Sequence, residues 1–233
     1  MKTKVIGILC ALDVELEAIL DLLSKPKCQV IMNKSFFVGK YEERLVVAVK
    51  CGIGKVAASL TTTLIIEHFK PDLVISTGIA GGYYKELNPL DVVVATSSYY
   101  YDFDLRADGA KRIGEMPENE FPFVSDELAV NILKECGQKL YFGPITTADK
   151  FASNKEELDL IVEENFKDII PLAVDMETAS VMQCAQTLNV PALSIRAISD
   201  VIGNHNQTFD YYNFAGRASQ NASAIVLEIL KKY

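Results

Sequence analysis

The chain of 233 residues is long enough for one α/β domain or for two small domains. Its 31 acidic residues outnumber its 23 basic residues, which gives a formal net charge of −8. This charge argues against a nucleic-acid partner, because a polyanion requires a basic face. No apolar run reaches the length of a membrane span. We therefore expect a neutral or zwitterionic small molecule as the ligand, with neither nucleic acid nor a membrane as a partner.

Cysteine and histidine usage points away from disulfides and metals. The five cysteines are odd in number, none has C-x-x-C spacing, and most lie in apolar or helical segments. Buried free thiols in a reducing cytoplasm are the expected outcome. The chain has only two histidines, and no cysteine or histidine pair has the spacing of zinc ligands. We predict a cytoplasmic protein with no metal site and no cofactor.

Apolar runs alternate with helical patterns along most of the chain. The expected strands are residues 5–11, 30–32, 36–41, 45–49, 73–76, 92–96, 140–147, 169–174 and 192–198. The expected helices are residues 13–23, 55–69, 125–136, 155–165, 181–188 and a last helix from 208 or 210 to about 230. This alternation predicts an α/β fold, and an antiparallel meander within 30–49 makes the central sheet mixed. Because neither an internal repeat nor a linker interrupts the pattern, residues 1–233 are expected to form a single domain.

Acidic residues follow three of the expected strands. Glu15 comes after the first strand, Asp175 and Glu177 come after the strand at 169–174, and Asp200 comes after the last strand. The helix between the last two strands favours their parallel pairing. In open parallel sheets, ligands bind at the edge formed by the carboxyl ends of the strands. These acids are therefore expected to meet at one edge.

The same acids have a simpler interpretation as helix caps, since carboxylates stabilise a helix N-terminus. That interpretation is good for Asp13, fair for Glu15 and Glu177, and poor for Asp200, which precedes no clear helix. Several carboxyl groups with few histidines favour acid–base hydrolysis through a cationic transition state. Glycoside cleavage uses carboxyl groups in this way, one protonating the leaving group and another activating water.

Two glycine-rich segments are expected to form turns after strands. Residues 52–57 read GIGKVA, which matches the G-x-G-x-x-A pattern of dinucleotide-binding proteins. The acid that should follow the next strand to hold a ribose is missing, because Asp72 precedes that strand. A strand-to-helix turn is favoured, with an oxidoreductase as an alternative. Residues 77–82 read TGIAGG, which suits either a simple loop or the close approach of a flat ligand.

Six segments together carry a family resemblance. They read ALDVE at 11–15, CGIGKVAA at 51–58, KPD at 70–72, TGIAGG at 77–82, VDMETA at 174–179, and VP at 190–191 followed by RAISD at 196–200. In this order and spacing, over nearly the whole chain, they resemble the 5′-methylthioadenosine/S-adenosylhomocysteine nucleosidases of the purine nucleoside phosphorylase-like superfamily. The resemblance implies a single-domain α/β fold whose mixed, partly closed central β-sheet is surrounded by helices. It also implies a homodimer.

The resemblance implies a reaction and three catalytic residues. The N-glycosidic bond of 5′-methylthioadenosine and S-adenosylhomocysteine is hydrolysed, which releases adenine and the 5′-alkylthioribose for methionine salvage and removes a product of the methyl cycle. Glu15 is the base that activates water, and Asp200 is the acid that protonates the purine at N7. Glu177 binds the ribose hydroxyls and stabilises the oxocarbenium-like sugar. 5′-Deoxyadenosine and aminodeoxyfutalosine are further candidate substrates.

The resemblance also implies the surroundings of the ribose. Met176 lies under the sugar, while Ala80 and Gly81 line the purine and ribose site. Arg196 and Ser199 support the catalytic groups.

Further residues are implied at the two ends of the substrate. Phe151 stacks on adenine, and Ala152 hydrogen-bonds it through the backbone. Ile53 and Phe209 flank the 5′-alkylthio group. Leu105 lies in the irregular segment that, in the family, crosses to the pocket of a partner subunit.

Three residues depart from the family pattern. Ile79 stands where many relatives carry serine, which removes a polar contact near the ribose or base. Ala152 is smaller than its counterpart in some relatives. Asp175 replaces a glutamate found in some relatives, and it is expected to begin a helix at the site without a chemical role.

Two alternatives remain beside hydrolysis. A phosphate-dependent nucleoside phosphorylase would carry an arginine after the first strand, whereas the first arginine here is Arg44. A non-catalytic nucleoside-binding relative would be expected to lack some of the carboxylates, yet Glu15, Glu177 and Asp200 are all present.

Overall fold

The computed structural model describes residues 3–233, which form ten strands and six α-helices. The strands are β1 (Val5–Cys10), β2 (Ser24–Ile31), β3 (Lys34–Tyr41), β4 (Arg44–Lys50), β5 (Leu73–Gly82), β6 (Val92–Tyr100), β7 (Phe123–Val124), β8 (Tyr141–Thr147), β9 (Ala173–Asp175) and β10 (Ala192–Val201). The helices are α1 (Asp13–Leu20), α2 (Lys55–Phe69), α3 (Glu127–Lys134), α4 (Lys155–Asn165), α5 (Thr178–Thr187) and α6 (Gln207–Lys232).

Five strands close into a ring at the centre of the molecule. β5 pairs with β10 and β9, β10 pairs with β6, and β8 joins β6 to β9. From β5 the sheet continues outward through β1, β4, β3 and β2, while β7 pairs with β6. Both parallel and antiparallel pairs occur, so the predicted mixed, partly closed sheet is confirmed.

The central strands are buried because helices cover both faces of the sheet. α1, α3 and α6 pack on one large core cluster, whereas α2 and α5 pack on a second one. β1, β5 and β10 are almost continuously buried, as expected for strands covered on both faces. No helix within residues 3–233 combines the length and the apolar composition needed to cross a membrane.

The predicted parallel pairing of β9 with β10 is wrong. These two strands are not paired with each other; β9 runs antiparallel to β5, and β10 runs parallel to β5. α5 therefore connects strands of opposite direction on different sides of β5. Sequence alternation indicates a crossover but does not specify which strand lies between its two ends.

The segment at 77–82 is the second half of β5, not the predicted turn. Gly81 pairs with Asp200 on one side and with Val174 on the other. Side chains are crowded there, since a Cβ on Gly82 would lie 3.1 Å from Ile198 Cγ2. The glycines therefore allow three strands to meet. β10 likewise extends beyond the predicted residue 198, so Asp200 lies within a strand, next to a bulge.

Element boundaries differ elsewhere by a few residues. α1 ends at Leu20, and β2 begins at Ser24 rather than at residue 30, so Pro26 lies inside a strand. A proline is tolerated because β2 is an edge strand with a register shift between Ser24 and Lys27. The strand predicted at 169–174 is reduced to Ala173–Asp175. α2 and α4 have the predicted bounds.

All five cysteines are free thiols. Cys10 and Cys51 are buried, Cys136 and Cys184 are partly buried, and Cys28 is exposed. The prediction of buried thiols is therefore fully met by Cys10 and Cys51 and partly met by Cys136 and Cys184. It is wrong for Cys28, which lies on edge strand β2.

Candidate active site

A cavity opens where the carboxyl ends of β5, β9 and β10 meet the start of α1. It is lined by all the predicted site residues except Arg196, Leu105 and Phe209. Those lining it are Glu15, Ile53, Ala80, Gly81, Phe151, Ala152, Asp175, Met176, Glu177, Ser199 and Asp200. The edge predicted from the strand ends thus exists, although β9 reaches it from the opposite direction.

Glu15 is held by backbone amides at the start of α1. One carboxylate oxygen, Oε2, accepts hydrogen bonds from the amides of Ala11 at 2.7 Å and Leu12 at 2.9 Å. The other, Oε1, accepts from the amide of Ile79 at 2.9 Å. Burial raises the pKa of Glu15, although Arg196 and the three amides oppose the shift. The Ile79 contact uses the backbone, so it does not depend on the side chain that differs from many relatives.

Arg196 lies behind the cavity and joins its acidic residues. Its Nε donates to Asp175 Oδ2 at 2.7 Å, its Nη2 donates to Ser76 Oγ at 2.9 Å, and Nη2 lies 3.6 Å from Glu177 Oε2. The side chain is almost fully buried. Burial works to lower its pKa, but Asp175, Glu177 and Glu15 outweigh that effect and raise it. Arg196 therefore stays charged and acts through the carboxylates rather than by facing the cavity.

The Asp175 carboxylate accepts hydrogen bonds from several neighbouring protein groups. Besides Arg196, it accepts hydrogen bonds from the hydroxyls of Thr147, at 2.6 Å, and Thr178. The amide of Thr178, the first residue of α5, also donates to it at 3.1 Å. Asp175 thus stands at a helix start, as predicted, and its carboxylate fixes Arg196 in place.

Glu177 ties the acidic site to the start of α2. Its Oε1 accepts from the amide of Gly54 at 2.9 Å. The next amide, of Lys55, donates to Asp149 Oδ1 at 2.7 Å. Because protein carboxylates occupy both amides, the GIGKVA segment serves as a strand-to-helix turn rather than as a pyrophosphate cradle. Burial raises the pKa of Glu177 to about 7, although Arg196 opposes the shift.

Asp200 is buried at the end of β10 with a partner on each oxygen. Its Oδ1 accepts from Ser199 Oγ at 2.6 Å, and its Oδ2 accepts from Gln207 Nε2 at 2.8 Å. Burial raises the pKa of Asp200, while these two hydrogen bonds lower it. A buried carboxyl with a raised pKa is suited to hold and deliver a proton.

The arrangement favours proton transfer and stabilisation of a cation. Glu15, Glu177 and Asp200 surround one cavity, and burial raises the pKa of each of them. Among residues 3–233, no cluster of three or more histidine, cysteine or acidic side chains is placed to hold a metal ion.

Phe209 does not line the cavity, contrary to the expectation for the 5′ end. It is 69% exposed, whereas Tyr211 lines the cavity and packs edge-on against Phe151, with ring centroids 5.6 Å apart. α6 begins at Gln207, so both tyrosine and phenylalanine are helical, and positions two apart face different sides of a helix. Leu105 also lies outside the cavity of its own chain, before a short 3-10 helix.

Sequence reasoning missed three side chains at the site. Tyr211 could have been found by extending the apolar face of α6 backward from Ala218 through Ala215, a spacing of three and four residues. Lys150 lines the cavity and pairs with Glu157 at 2.6 Å, and Gln207 contacts Asp200. No local pattern distinguishes the last two from ordinary polar loop residues.

We predict that Glu177→Gln stabilises the protein at alkaline pH. With a folded-state pKa of about 7 and a lower value in the unfolded chain, Glu177 keeps its proton in the folded state after the unfolded state has lost it. Stability therefore falls as the pH rises from the unfolded-state pKa to about 7, and it stays lower above that. A neutral glutamine avoids this cost, which is on the order of 3 kcal/mol.

Urea unfolding at pH 5 and pH 8 measures the effect. The variant should match the wild type near pH 5 and exceed it at pH 8, while the exposed Glu163→Gln controls for the removal of a charge. Equal stability of Glu177→Gln and the wild type at pH 8 would contradict the burial argument.

Comparisons with known proteins agree over the full length. A sequence model of the Phosphorylase superfamily matches residues 5–231. The 5′-methylthioadenosine/S-adenosylhomocysteine nucleosidase of Bacillus subtilis (strain 168) is 33% identical over 238 positions, covering 100% of this chain and 99% of the relative. The nucleosidase of the same name from S. pneumoniae, solved with the transition-state inhibitor MT-ImmA, has a TM-score of 0.90 and 32% identity, covering 97% of this chain and 98% of that one.

A structure from a neighbouring branch is also similar. The futalosine hydrolase of Helicobacter pylori strain 26695 has a TM-score of 0.90 and 29% identity, and 99% of each chain is covered. Sequence, fold and the carboxylates around the cavity thus agree with one another. The chain belongs to the phosphorylase superfamily and, within it, to the 5′-methylthioadenosine/S-adenosylhomocysteine nucleosidases.

Proposed function

We propose that this protein hydrolyses the N-glycosidic bond of 5′-methylthioadenosine and S-adenosylhomocysteine, releasing adenine and the 5′-alkylthioribose. The observation that carries the proposal is the group of three buried carboxyls, Glu15, Glu177 and Asp200, around one cavity. The relatives support the choice of substrate, since one of them binds the transition-state inhibitor MT-ImmA. Methionine salvage and removal of a methyl-cycle product are the roles that this reaction would serve.

Asp200 supplies the proton that turns adenine into a leaving group. Its burial favours the protonated form, so the carboxyl can carry a proton to the purine N7. General acid catalysis of this kind contributes about a hundredfold to ten-thousandfold in rate. Ser199 can support the protonated acid, because its hydroxyl also reaches the Ala80 carbonyl at 3.3 Å and is then free to accept a hydrogen bond from the acid.

Glu177 stabilises the positive charge that develops on the sugar. Its carboxylate is fixed by the Gly54 amide and Arg196 before the reaction begins, so it need not reorganise as the cation forms. Met176, the neighbour of Glu177 in the chain, also lines the cavity. Its proposed place is under the ribose.

Purine binding uses other residues of the cavity lining. Phe151 offers a ring face for stacking, and Ala152 offers backbone groups to the edge of the base. Ala80 and Gly81 leave room for the ring, because neither carries a large side chain.

Glu15 activates the attacking water, and Gly78 makes its position possible. A Cβ on Gly78 would lie 2.7 Å from Arg196 Nη1 and closer still to the Glu15 carboxylate. Only glycine allows the two side chains to approach the backbone of β5 so closely.

Water is favoured over phosphate as the nucleophile. Arg196 behind the cavity and Lys150 in its lining are both already paired, Arg196 with Asp175 at 2.7 Å and Lys150 with Glu157 at 2.6 Å. A phosphate dianion beside the buried Glu15 carboxylate would meet like charge. A phosphorylase is therefore the weaker alternative, and a non-catalytic nucleoside-binding protein would have no use for this acid–base set.

The 5′ substituent is set by the rim of the cavity. Ile53 is 57% exposed there, so the 5′ end opens toward solvent and has space for substituents of different length. The likeness to a futalosine hydrolase keeps aminodeoxyfutalosine among the candidates, with 5′-deoxyadenosine as a smaller one. A comparison of kcat/KM for 5′-methylthioadenosine, S-adenosylhomocysteine, aminodeoxyfutalosine and 5′-deoxyadenosine identifies the preferred substrate. Loss of activity against S-adenosylhomocysteine alone would mean a closed 5′ channel.

A homodimer is supported by one apolar face. Val56 and Leu60 are more than half exposed on α2, the helix that begins two residues after Ile53 of the cavity lining. A second copy covering this face would bring its own Leu105 segment toward the cavity. Sedimentation should give a dimer, and a fully active monomer would contradict this arrangement.

Two further properties follow from the same features. We propose that the chain acts as one nucleosidase domain, since one ten-stranded sheet takes its strands from residues 5 to 201 and the family match spans 5–231. A cytoplasmic location fits the five free thiols. Limited proteolysis and cell fractionation test these two proposals, which stable fragments or a secreted protein would contradict.

Adenine release in phosphate-free buffer tests the proposed function. Purified protein should release adenine from 5′-methylthioadenosine at the same rate with or without phosphate, because water is the nucleophile. Strict dependence on phosphate would assign the protein to the phosphorylases, and tight nucleoside binding without release would make it a binding protein.

Asp200→Asn should abolish turnover while substrate binding persists. The amide keeps the size of the side chain but cannot deliver a proton, so kcat should fall by about a hundredfold or more. Calorimetry measures binding and an adenine assay measures turnover, with the exposed Asp168→Asn as a matched control. Near-normal adenine release by Asp200→Asn would remove Asp200 from the acid role.

Gly78→Ala should inactivate the enzyme through Glu15 and Arg196. The added methyl displaces both side chains, and a shift of about 1 Å at a reacting centre can cost about a hundredfold in rate. Gly216→Ala in α6 is the control, because its Cβ would meet only Val14 Cγ2, at 3.9 Å. Full activity of Gly78→Ala would show that the close approach is not required.

A further inference from the structure

Gln207 joins three segments of the active site through one side-chain amide. Its Nε2 donates to Asp200 Oδ2 at 2.8 Å and to the Ala152 carbonyl at 2.7 Å. Its Oε1 accepts from the Gly203 amide at 3.1 Å. The residue is 6% exposed, so this amide is satisfied almost entirely by protein groups. It connects the end of β10, the segment between β8 and α4, and the start of α6.

The turn before α6 places Gln207 next to Asp200. Gly203 has a φ of +80°, and a Cβ there would lie 2.6 Å from Lys155 Cβ in α4. Glycine therefore lets the turn pack directly against α4. The backbone amide of Gln207 donates to the Asn204 carbonyl at 3.0 Å and closes the turn. The side chain of Gln207 is thereby directed back toward β10.

We infer that Gln207 is a positioning residue that holds the Asp200 carboxyl and the Ala152 carbonyl together as a paired acceptor for one amino group. Asp200 and Ala152 both line the cavity, whereas Gln207 does not, so it holds the two from outside the cavity lining. Each oxygen has a second lone pair with which it can bind a ligand while Gln207 remains in place. The inference rests on the proposed function, which puts a purine in this cavity.

The geometry of the pair selects for a particular purine edge. The two oxygens lie within hydrogen-bonding distance of one NH₂ nitrogen, and a purine 6-amino group is also an NH₂ with two hydrogens. A 6-oxo group would instead present an acceptor to two acceptors. Loss of Gln207 would allow the two segments to separate, and discrimination between the amino and oxo bases should decrease.

Gln207 also lowers the pKa of Asp200. Its hydrogen bond stabilises the ionised form of Asp200, as does that of Ser199. The other titratable groups that influence this carboxyl lie on α6, namely Asp210 and the Tyr211 phenol. Without the Gln207 donor, Asp200 should keep its proton to higher pH. Since the acid is active when protonated, the alkaline limb of the activity profile should move upward.

Two variants of nearly the same size as Gln207 test the inference. Gln207→Met removes all three hydrogen bonds, whereas Gln207→Glu keeps an acceptor for Gly203 and loses the NH₂ donor. For both, kcat/KM for 5′-methylthioadenosine should fall by about ten- to a hundredfold, the range expected for a hydrogen bond to a charged group. The ratio of kcat/KM for 5′-methylthioadenosine to kcat/KM for 5′-methylthioinosine should decrease. The alkaline limb of the pH–activity profile should move to higher pH. Gln220→Met, an exposed position on α6, is the matched control and should behave as the wild type.

The outcomes separate the possible roles of Gln207. Wild-type kinetics in Gln207→Glu together with a defect in Gln207→Met would mean that Gln207 only holds the turn, which overturns the inference. Reduced activity with an unchanged pH limb and an unchanged base preference would indicate a purely structural role and would overturn it as well. A wild-type protein that releases no adenine would instead refute the proposed function, and this inference with it.

Discussion

The buried ion pair between Arg196 and Asp175 is the interaction on which the site depends. Asp175 fixes the guanidinium at 2.7 Å, and the same guanidinium then faces Glu177 at 3.6 Å and lies close to Glu15. One cation is thus shared among three buried carboxylates. Removal of one member of a buried pair typically costs about 3–5 kcal/mol, because a charge is left without compensation. Here the compensation is already incomplete, and that is why burial can raise the pKa of Glu15 and Glu177 although Arg196 opposes the shift.

The closed ring of strands brings these groups together. β1, β5 and β10 run in one direction and deliver Glu15 and Asp200, while β9 arrives from the other direction and delivers Asp175 and Glu177. An open parallel sheet could present its strand ends only along one edge, whereas the ring lets acids from strands of opposite direction face one cavity. Little room is left for a side chain where the three strands meet at Gly81, because a Cβ there would lie 3.1 Å from Ile202 Cγ1.

The parts of the fold and of the site that depend on local sequence patterns can be predicted from the sequence. α2 and α4 follow from their periodicity and end signals, and both have the predicted bounds. The pairing of β9 was not predictable, because it depends on ring closure between segments far apart in the chain. The position of the acids after strands predicts where they meet, whereas their separate roles follow only from the family resemblance. Tyr211, rather than Phe209, lies in the cavity wall because positions two apart on α6 face different sides of the helix.

The acid strength of Asp200 results from two opposing local effects. Burial at the end of β10 favours the protonated carboxyl, whereas Ser199 and Gln207 donate to its oxygens and favour the ionised form. An acid stabilised only by burial would hold its proton too firmly to give it up, and one stabilised only by donors would already be ionised. Because one donor is a neighbouring residue and the other comes from the start of α6, the proton affinity of Asp200 depends on how α6 begins. The turn at Gly203 is therefore part of the chemistry of the site, although it contributes no group to the cavity.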